Sequence, residues 1–382
     1  MSMRVLLIFG TRPEAIKVAP VIRALQQDDR FTPIVAVSAQ HREMLDQVLS
    51  LFAIVPDFDL NIIRPGQTLT DVTASVLRGL EHVFEATDPH VVVVQGDTTT
   101  TFSGALAAFY RQVPVVHMEA GLRTNDRYSP FPEELNRRLT TRLANLHLAA
   151  TASGRANLVA EGIDDQSVVL TGNTVIDALH WTAGQNSSYG DTRLEAIDAS
   201  PARIVTVTAH RRESWGSGLA EVGDALAEIA RRFPNVHVVF PIHRNPLVRD
   251  AIIPAVAGLP NVTVVEPLAY APFARLLQRS TLVLTDSGGV QEEAPSLGKP
   301  VLVLRESTER PEGIAAGTAM LVGTDRQRIV SAVSRLLTDP SAYAAMANAT
   351  NPYGDGFAAP RTVEAIAFLL GAGPRPQDFA TH

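Results

Sequence analysis

The feature that most restricts how this chain can fold is a rhythm. Short apolar runs recur along its first half: Val5–Phe9, Ile34–Val37, Val91–Gln95, Val113–His117 and Leu146–Ala149. They do not alternate with polar residues, so they read as parallel strands buried on both faces. Between them, Ala15–Gln27 and Asp71–Ala86 carry apolar residues at helical spacing. Pro13 suits a first helical position and Asp71 a first turn. Strands buried on both faces need helices above and below, which predicts a doubly wound α/β sheet. Residues 184–203, rich in Gly, Asn, Ser and charge, interrupt the pattern and place an interdomain connection around 173–203. A second series follows: Ile204–Ala209, Val236–Pro241, Val262–Val265, Leu282–Thr285, Pro300–Leu304 and Ala319–Val322. The tail reads as a turn, Asn351–Gly356, and a final helix, Pro360–Leu370. The expectation is two Rossmann-like domains, 1–172 and 173–357, facing a central cleft, with segment 358–382 packed back on the first. Ligands of such folds sit at strand C-terminal ends.

Composition removes several functions. A net charge of -7 without a basic stretch argues against nucleic acid as a partner. There is no cysteine, hence no disulfide, thiolate metal site or thiol nucleophile. The apolar run Val5–Phe9 is too short for a signal-peptide core or a membrane span, so the expected location is the cytoplasm, with no membrane partner. Of 33 basic residues only Lys17 and Lys299 are lysine, and both lie beside candidate anion sites.

The richest segment is 283–312. The strand Leu282–Thr285 runs into Asp286, Ser287, Gly288 and Gly289, where a helix begins that carries Glu292 and Glu293. Small residues at a strand-to-helix junction leave N–H groups bare, and the helix N-terminus adds partial positive charge, which suits a diphosphate. Glu293 is placed to accept from a ribose diol, and Arg310 follows the next strand on a loop able to return to the phosphates. The plain structural alternative is a helix capped by Ser287.

Other strand ends carry candidate groups. GTRPE, at 10–14, matches neither the P-loop nor the dinucleotide pattern, but sets Arg12 and Lys17 near a helix start. Asp97 follows VVVV and suits either catalysis or a helix cap. Glu119 emerges at the neighbouring strand end, giving an acid/base pair with Asp97 or a structural ion pair with Arg123. Glu133 and Arg137, and Glu134 and Arg138, share helix faces, ordinarily a solvated ion-pair face. His210 and His243 follow two strands with arginines nearby, which suits an anion or a proton shuttle. No histidine spacing indicates a metal.

In order along the chain, GTRPEAIK, AQHREML, RPGQTL, QGDTTTT, EAGLRT, PEELNR, TGNTVIDAL, AHRRES, DSGGVQEEAPSLGKP, TERPE and NPYGDG resemble the non-hydrolysing UDP-N-acetylglucosamine 2-epimerase family. The resemblance implies a GT-B-type fold and interconversion of UDP-GlcNAc and UDP-ManNAc. It also implies elimination of UDP, a bound glycal and re-addition, without a cofactor and usually in a homodimer. It implies catalytic roles for Asp97, Glu119, Glu133, Arg137 and His210. UDP contacts fall on Arg12, Lys17, His210, Ser287, Gly288, Gly289, Glu293 and Arg310, with Phe273 near the uracil. A second UDP-GlcNAc, bound as activator, would meet Gln40, His41, Gln67, Arg211 and His243, although Gly66 stands where some members carry arginine. A hydrolysing 2-epimerase that releases UDP and ManNAc, and a UDP-sugar glycosyltransferase, are the rival readings. The set of three acids argues against the transferase.

Overall fold

The computed structural model describes residues 2–39, 42–64, 66–211 and 217–380. The chain divides into two compact units, 1–178 with 354–380, and 179–353.

In unit 1, strands and helices alternate: β1 (Met3–Phe9), α1 (Arg12–Gln26), β2 (Phe31–Val37), α2 (Arg42–Leu51), β3 (Phe58–Asp59), α3 (Leu69–Thr87), β4 (Val91–Gln95), α4 (Thr99–Tyr110), β5 (Val115–Ala120), α5 (Glu133–Leu143), β6 (Leu146–Ala149), α6 (Ala152–Ala160) and β7 (Val168–Leu170). The helix α7 (Thr174–Ala183) spans the division between units after Ala178. In unit 2 follow α8 (Thr192–Ala199), β8 (Arg203–Thr208), α9 (Ser217–Arg232), β9 (Val236–Pro241), α10 (Pro246–Val256), β10 (Val262–Val265), α11 (Tyr270–Arg279), β11 (Leu282–Thr285), α12 (Gly288–Ser296), β12 (Val301–Val303), α13 (Pro311–Ala315), β13 (Ala319–Leu321), α14 (Arg326–Thr338) and α15 (Pro340–Ala347). The last helix, α16 (Ala358–Leu369), belongs to unit 1. The segment expected as an interdomain connection, 173–203, therefore contains two helices.

Among the described residues every strand pairing is parallel. The sheet orders are β3-β2-β1-β4-β5-β6-β7 and β10-β9-β8-β11-β12-β13. Strand order thus reverses between β1 and β4 in unit 1 and between β8 and β11 in unit 2. Loops on either side of such a reversal diverge and leave a crevice at the strand C-terminal ends. The apolar runs act as the rhythm predicts. Val5, Leu6, Leu7, Ile8 and Phe9 are all buried, and each large side chain so buried contributes roughly 1.5–3 kcal/mol. In unit 2, Val205, Val207, Val238, Phe240, Leu282 and Leu284 form the equivalent core with α9 and α14.

The end of the chain is tied to unit 1. Asp177 accepts from the N–H groups of Ala358 and Ala359 at 3.2 and 2.8 Å, filling the N-terminus of α16. Arg30 pairs with Glu364 at 2.6 Å, and Phe379 N–H donates to Leu170 O at 2.6 Å.

Candidate active site

In unit 1 the informative side chains collect at the ends of β1, β4 and β5. Glu119 lies within β5, where the register against β6 shifts between Met118 and Ala120. Its φ is +59°, a backbone state rare for a residue with a side chain. A bulge of this kind re-aims one side chain, here away from the pleat. The carboxylate then accepts from Lys17 Nζ at 2.5 Å, Gln95 Nε2 at 2.6 Å and Asn173 Nδ2 at 3.3 Å. The ion pair with Arg123 does not form; Arg123 instead grips Glu161 with bonds of 2.8 Å from Nε and Nη2.

Asp97 follows β4. It is not a helix cap, because the N-cap of α4 is Thr98, whose hydroxyl accepts from Thr101 N–H at 3.2 Å. The Asp97 carboxylate meets the Arg137 guanidinium, and its carbonyl accepts from Asn136 Nδ2 at 3.0 Å. Burial raises the Asp97 carboxyl above the usual carboxylate range. Arg137 pulls the other way, Glu119 adds to the rise, and the net shift is upward. Behind this turn, buried His117 donates from Nε2 to Gly96 O at 2.7 Å, since a carbonyl can only accept. Burial pushes His117 down to about 4, so it is neutral at neutral pH.

The α5 pairing departs from simple helical spacing. Arg137 takes buried Glu134 at 3.2 Å as well as Asp97, while Glu134 also holds Arg138 at 2.8 Å. Among the described residues Glu133 has no hydrogen-bond or ion-pair partner and is half-buried at the start of α5. Arg12, half-buried, is likewise unpartnered among the described residues.

The turn before α1 is sealed by its own sequence. Buried Glu14 accepts from Gly10 N–H at 2.9 Å, Thr11 N–H at 2.7 Å and Thr11 Oγ1 at 2.8 Å. An anion needing those N–H groups would find a carboxylate already there. Gly10 is required by closeness of packing, because an added Cβ would stand 1.9 Å from Ser38 Oγ.

Unit 2 is arranged differently. Buried Asp286 accepts from His210 N–H at 2.6 Å and Arg211 N–H at 2.7 Å, and His210 Nδ1 lies 2.8 Å from its second oxygen. Burial opposes the charge of Asp286, but His210 and these N–H donors prevail and hold its carboxyl below the usual range. The His210 ring stacks on His243 with centroids 6.0 Å apart. Ser287 is the N-cap residue of α12, yet its side chain makes no cap bond. The expectation of a helix capped by Ser287 is therefore not met. A Cβ on Gly289 would meet nothing within 4 Å, and one on Gly288 would reach Glu309 Oε1 at 3.2 Å. Among the described residues the N-terminus of α12 is thus open, with backbone N–H groups and the Ser287 hydroxyl at its mouth. Glu293, one turn in, accepts from Tyr270 OH at 3.3 Å. Arg310 is positioned by an ion pair with Glu292 and by its carbonyl, which accepts from Tyr353 OH at 3.1 Å. Phe273 is half-buried on α11, packed on the core beside α12.

Of the expected activator residues, Gln40 and His41 lie outside the described residues. Gln67 accepts from Arg64 N–H at 2.5 Å, and Arg211 pairs with Glu309 at 3.0 Å. Sequence reasoning overlooked Glu14, Asp286, Gln95 and Asn173. A carboxylate just ahead of a run of small residues, as in TDSGG, was a usable signal for Asp286, and the T-x-x-E spacing of Thr11 and Glu14 marked the local half of the Glu14 contacts; Gln95 and Asn173 are visible only through contacts between distant segments. Among the described residues no group of three or more His, Asp or Glu side chains could hold a metal, and no helix is long and apolar enough to cross a membrane.

A pair of parallel, doubly wound units is the architecture of a large class of nucleotide-sugar proteins. Within that class, the chain belongs to the UDP-N-acetylglucosamine 2-epimerase family, whose model matches residues 23–367. Proteins named UDP-N-acetylglucosamine 2-epimerase from Yersinia pestis and Escherichia coli (strain K12) are each 53% identical over 369 residues, 95% of this chain and 98% of theirs. A crystal structure of UDP-GlcNAc 2-epimerase from Neisseria meningitidis bound to UDP-GlcNAc is 48% identical. It covers 96% of this chain and 100% of that one, with a TM-score of 0.83. A crystal structure from Listeria monocytogenes, 45% identical, covers both chains completely with a TM-score of 0.95.

Proposed function

We propose that this protein interconverts UDP-GlcNAc and UDP-ManNAc by inverting C2 while the intermediate stays bound. Family membership and the UDP-GlcNAc bound to the Neisseria relative support the substrate. The observation that carries the chemistry is the pair Glu119 and Asp97, acids at neighbouring strand ends in opposite environments. Glu119 faces a lysine ammonium and two amides, all donors. Asp97 is held by burial to a higher proton affinity. Two carboxyl groups at neighbouring strand ends can act as acceptor and donor in one step.

The sugar dictates the route. C2 has no adjacent carbonyl, so its proton is not acidic enough to be removed alone. Breaking the C1–O bond sends its electron pair to UDP while a carboxylate takes the C2 proton, leaving a C1=C2 glycal. Protonation of C2 on the other face and return of a UDP oxygen to C1 complete the epimerisation. No electrons are gained or lost overall, so the route needs no redox cofactor. In this proposal Glu119 takes the proton in one direction and Asp97 supplies it from the opposite face, with Glu133 as the third acid and Arg137 fixing Asp97. The N-terminus of α12, Ser287, Arg12, Arg310 and His210 balance the charge on the departing diphosphate. Glu293 takes the ribose and Phe273 the uracil; Lys17 acts through Glu119 beside the diphosphate. A homodimer, and a second UDP-GlcNAc acting through Gln67, Arg211 and His243 with Gln40 and His41, belong to the same reading.

Purified protein incubated with UDP-GlcNAc in D2O and followed by NMR tests it. The expected result is UDP-ManNAc in equilibrium with UDP-GlcNAc, both deuterated at C2. Stoichiometric UDP and free ManNAc would select the hydrolysing reaction instead.

A further inference from the structure

We propose that Glu14 is a positioning residue for this chemistry: a buried carboxylate clasp that locks the β1–α1 turn to the β4–α4 turn and so sets both Asp97 and Lys17. The inference rests on the function proposed above.

The clasp lies where strand order reverses in unit 1. One oxygen of Glu14 takes Gly10 N–H, Thr11 N–H and the Thr11 hydroxyl. The other takes the Thr98 hydroxyl at 2.6 Å, with Thr101 Oγ1 at 3.0 Å. Thr101 shares its single proton, because it also lies 2.6 Å from Gln95 O. Thr98 immediately follows Asp97 and caps α4. On the α1 side, Glu14 and Lys17 are three residues apart and share a helix face. Fixing Glu14 fixes the rotation that brings Lys17 Nζ to 2.5 Å from Glu119. One side chain that is 4% exposed thus touches the segment that carries Asp97 and, through the face of α1 it shares with Lys17, bears on the residue paired with Glu119. A carboxylate suits the task because it only accepts, and every group around it donates. Glutamine would turn an amide NH2 towards one arm and oblige that arm to rearrange.

Elsewhere in unit 1 the same turn is held by His117 on Gly96 O and Asn136 on Asp97 O. These fix the backbone before and at Asp97, and Glu14 fixes it after. Removing the clasp should let the acid drift without dismantling the strands. An error of about 1 Å in a reacting group is enough for losses on the order of 10²-fold.

The test compares wild type, Glu14→Gln, Thr98→Val, Thr98→Ser and the Glu14→Gln/Thr98→Val double variant. Turnover of UDP-GlcNAc is expressed per UDP-binding site, counted by calorimetry, so that loss of folded protein does not enter. Expected are a fall in kcat of about tenfold or more for Glu14→Gln and for Thr98→Val. UDP affinity should change far less than kcat. Thr98→Ser, which keeps the hydroxyl, should restore activity, and the double variant should lose clearly less than the product of the two single losses, because both single variants break the same Glu14–Thr98 bond. If Glu14→Gln does not fold, the Thr98 pair decides. Overturning results are a kcat per site near wild type in Glu14→Gln or Thr98→Val, losses that multiply in the double variant, or a Thr98→Ser as impaired as Thr98→Val. A wild type that leaves UDP-GlcNAc unchanged overturns the proposed function, and this inference with it; an active wild type with an equally active Glu14→Gln overturns the inference alone.

Discussion

The two units solve the same structural problem with opposite outcomes. Each reverses its strand order once, and at each reversal a buried carboxylate bridges the two diverging loops. In unit 1 that carboxylate is Glu14, which closes the N–H groups of the turn leading into α1. In unit 2 it is Asp286, which takes the N–H groups of the other loop, at His210 and Arg211, and leaves the start of α12 uncovered. A strand-to-helix turn is therefore not an anion site merely by being one. What decides is whether the protein's own acid already occupies it. The reversal of unit 1 holds acids, and that of unit 2 leaves the start of α12 open, as the proposed diphosphate site requires.

The largest expected effects fall on the acids of unit 1. Asp97→Asn and Glu119→Gln should each lower kcat by about 10²-fold or more, the scale of a lost general acid or base. UDP affinity measured by calorimetry should stay close to wild type, since the residues proposed to hold the nucleotide are unchanged. Near-normal turnover in both would return the pair to a structural role.

A pair of glycine substitutions probes the sealed and open turns directly. Gly10→Ala puts a methyl 1.9 Å from Ser38 Oγ and 2.9 Å from Thr100 Oγ1, both on fully buried residues. It should lower unfolding stability by about 1–3 kcal/mol. Gly289→Ala meets nothing within 4 Å, so thermal unfolding should barely move. UDP affinity should instead fall by about tenfold, as the methyl intrudes where phosphate oxygens would approach the N–H groups. Equal effects of the two on stability, or undiminished UDP binding in Gly289→Ala, would erase the distinction drawn between the turns.

The two lysines offer a finer contrast. Lys17 pairs with Glu119, and a planar, longer guanidinium cannot reproduce a single 2.5 Å contact from a compact ammonium. Lys17→Arg should therefore reduce kcat/KM. Lys299 is half-buried and has no hydrogen-bond or ion-pair partner among the described residues, so Lys299→Arg should be nearly silent. Equal kinetics for the two variants would remove Lys17 from the mechanism.

The last contrast concerns stability rather than turnover. His117 ionises in the folded protein only near pH 4, whereas its ordinary value is 6.5. Between those values the unfolded chain binds the proton and the folded chain does not. The contribution of His117 is fully present above about pH 6.5 and fades as pH falls towards 4. Urea midpoints of wild type and His117→Gln should converge as pH falls across that window; a constant difference would show that the imidazole does not resist protonation.

Much of this was legible in the residues. Buried parallel strands announce themselves as unbroken apolar runs, and the small residues of DSGG mark an open turn. What escaped had physical reasons. The edge strands β3 and β7 span two and three residues, too few to show a pattern. Glu14 reads locally as an acid in a helical first turn, and its Thr98 and Thr101 partners lie 84 and 87 positions away. Asp97 looked like a cap because Thr98, one residue on, is the cap. Arg123 was set beside Glu119 by proximity in sequence, yet it pairs with Glu161, 38 residues later. Spacing along a helix correctly joined Glu134 to Arg138, but Arg137 chose Asp97 across the fold over Glu133.

One measurement bears most directly on the central claim, proton transfer at C2 of a nucleotide sugar. UDP-GlcNAc is incubated with the protein in D2O, and early time points are read by NMR and mass spectrometry. The account predicts one deuterium at C2 of both UDP-GlcNAc and UDP-ManNAc, with little free UDP. Unlabelled UDP-ManNAc, or a sugar nucleotide that neither exchanges nor epimerises, would contradict it.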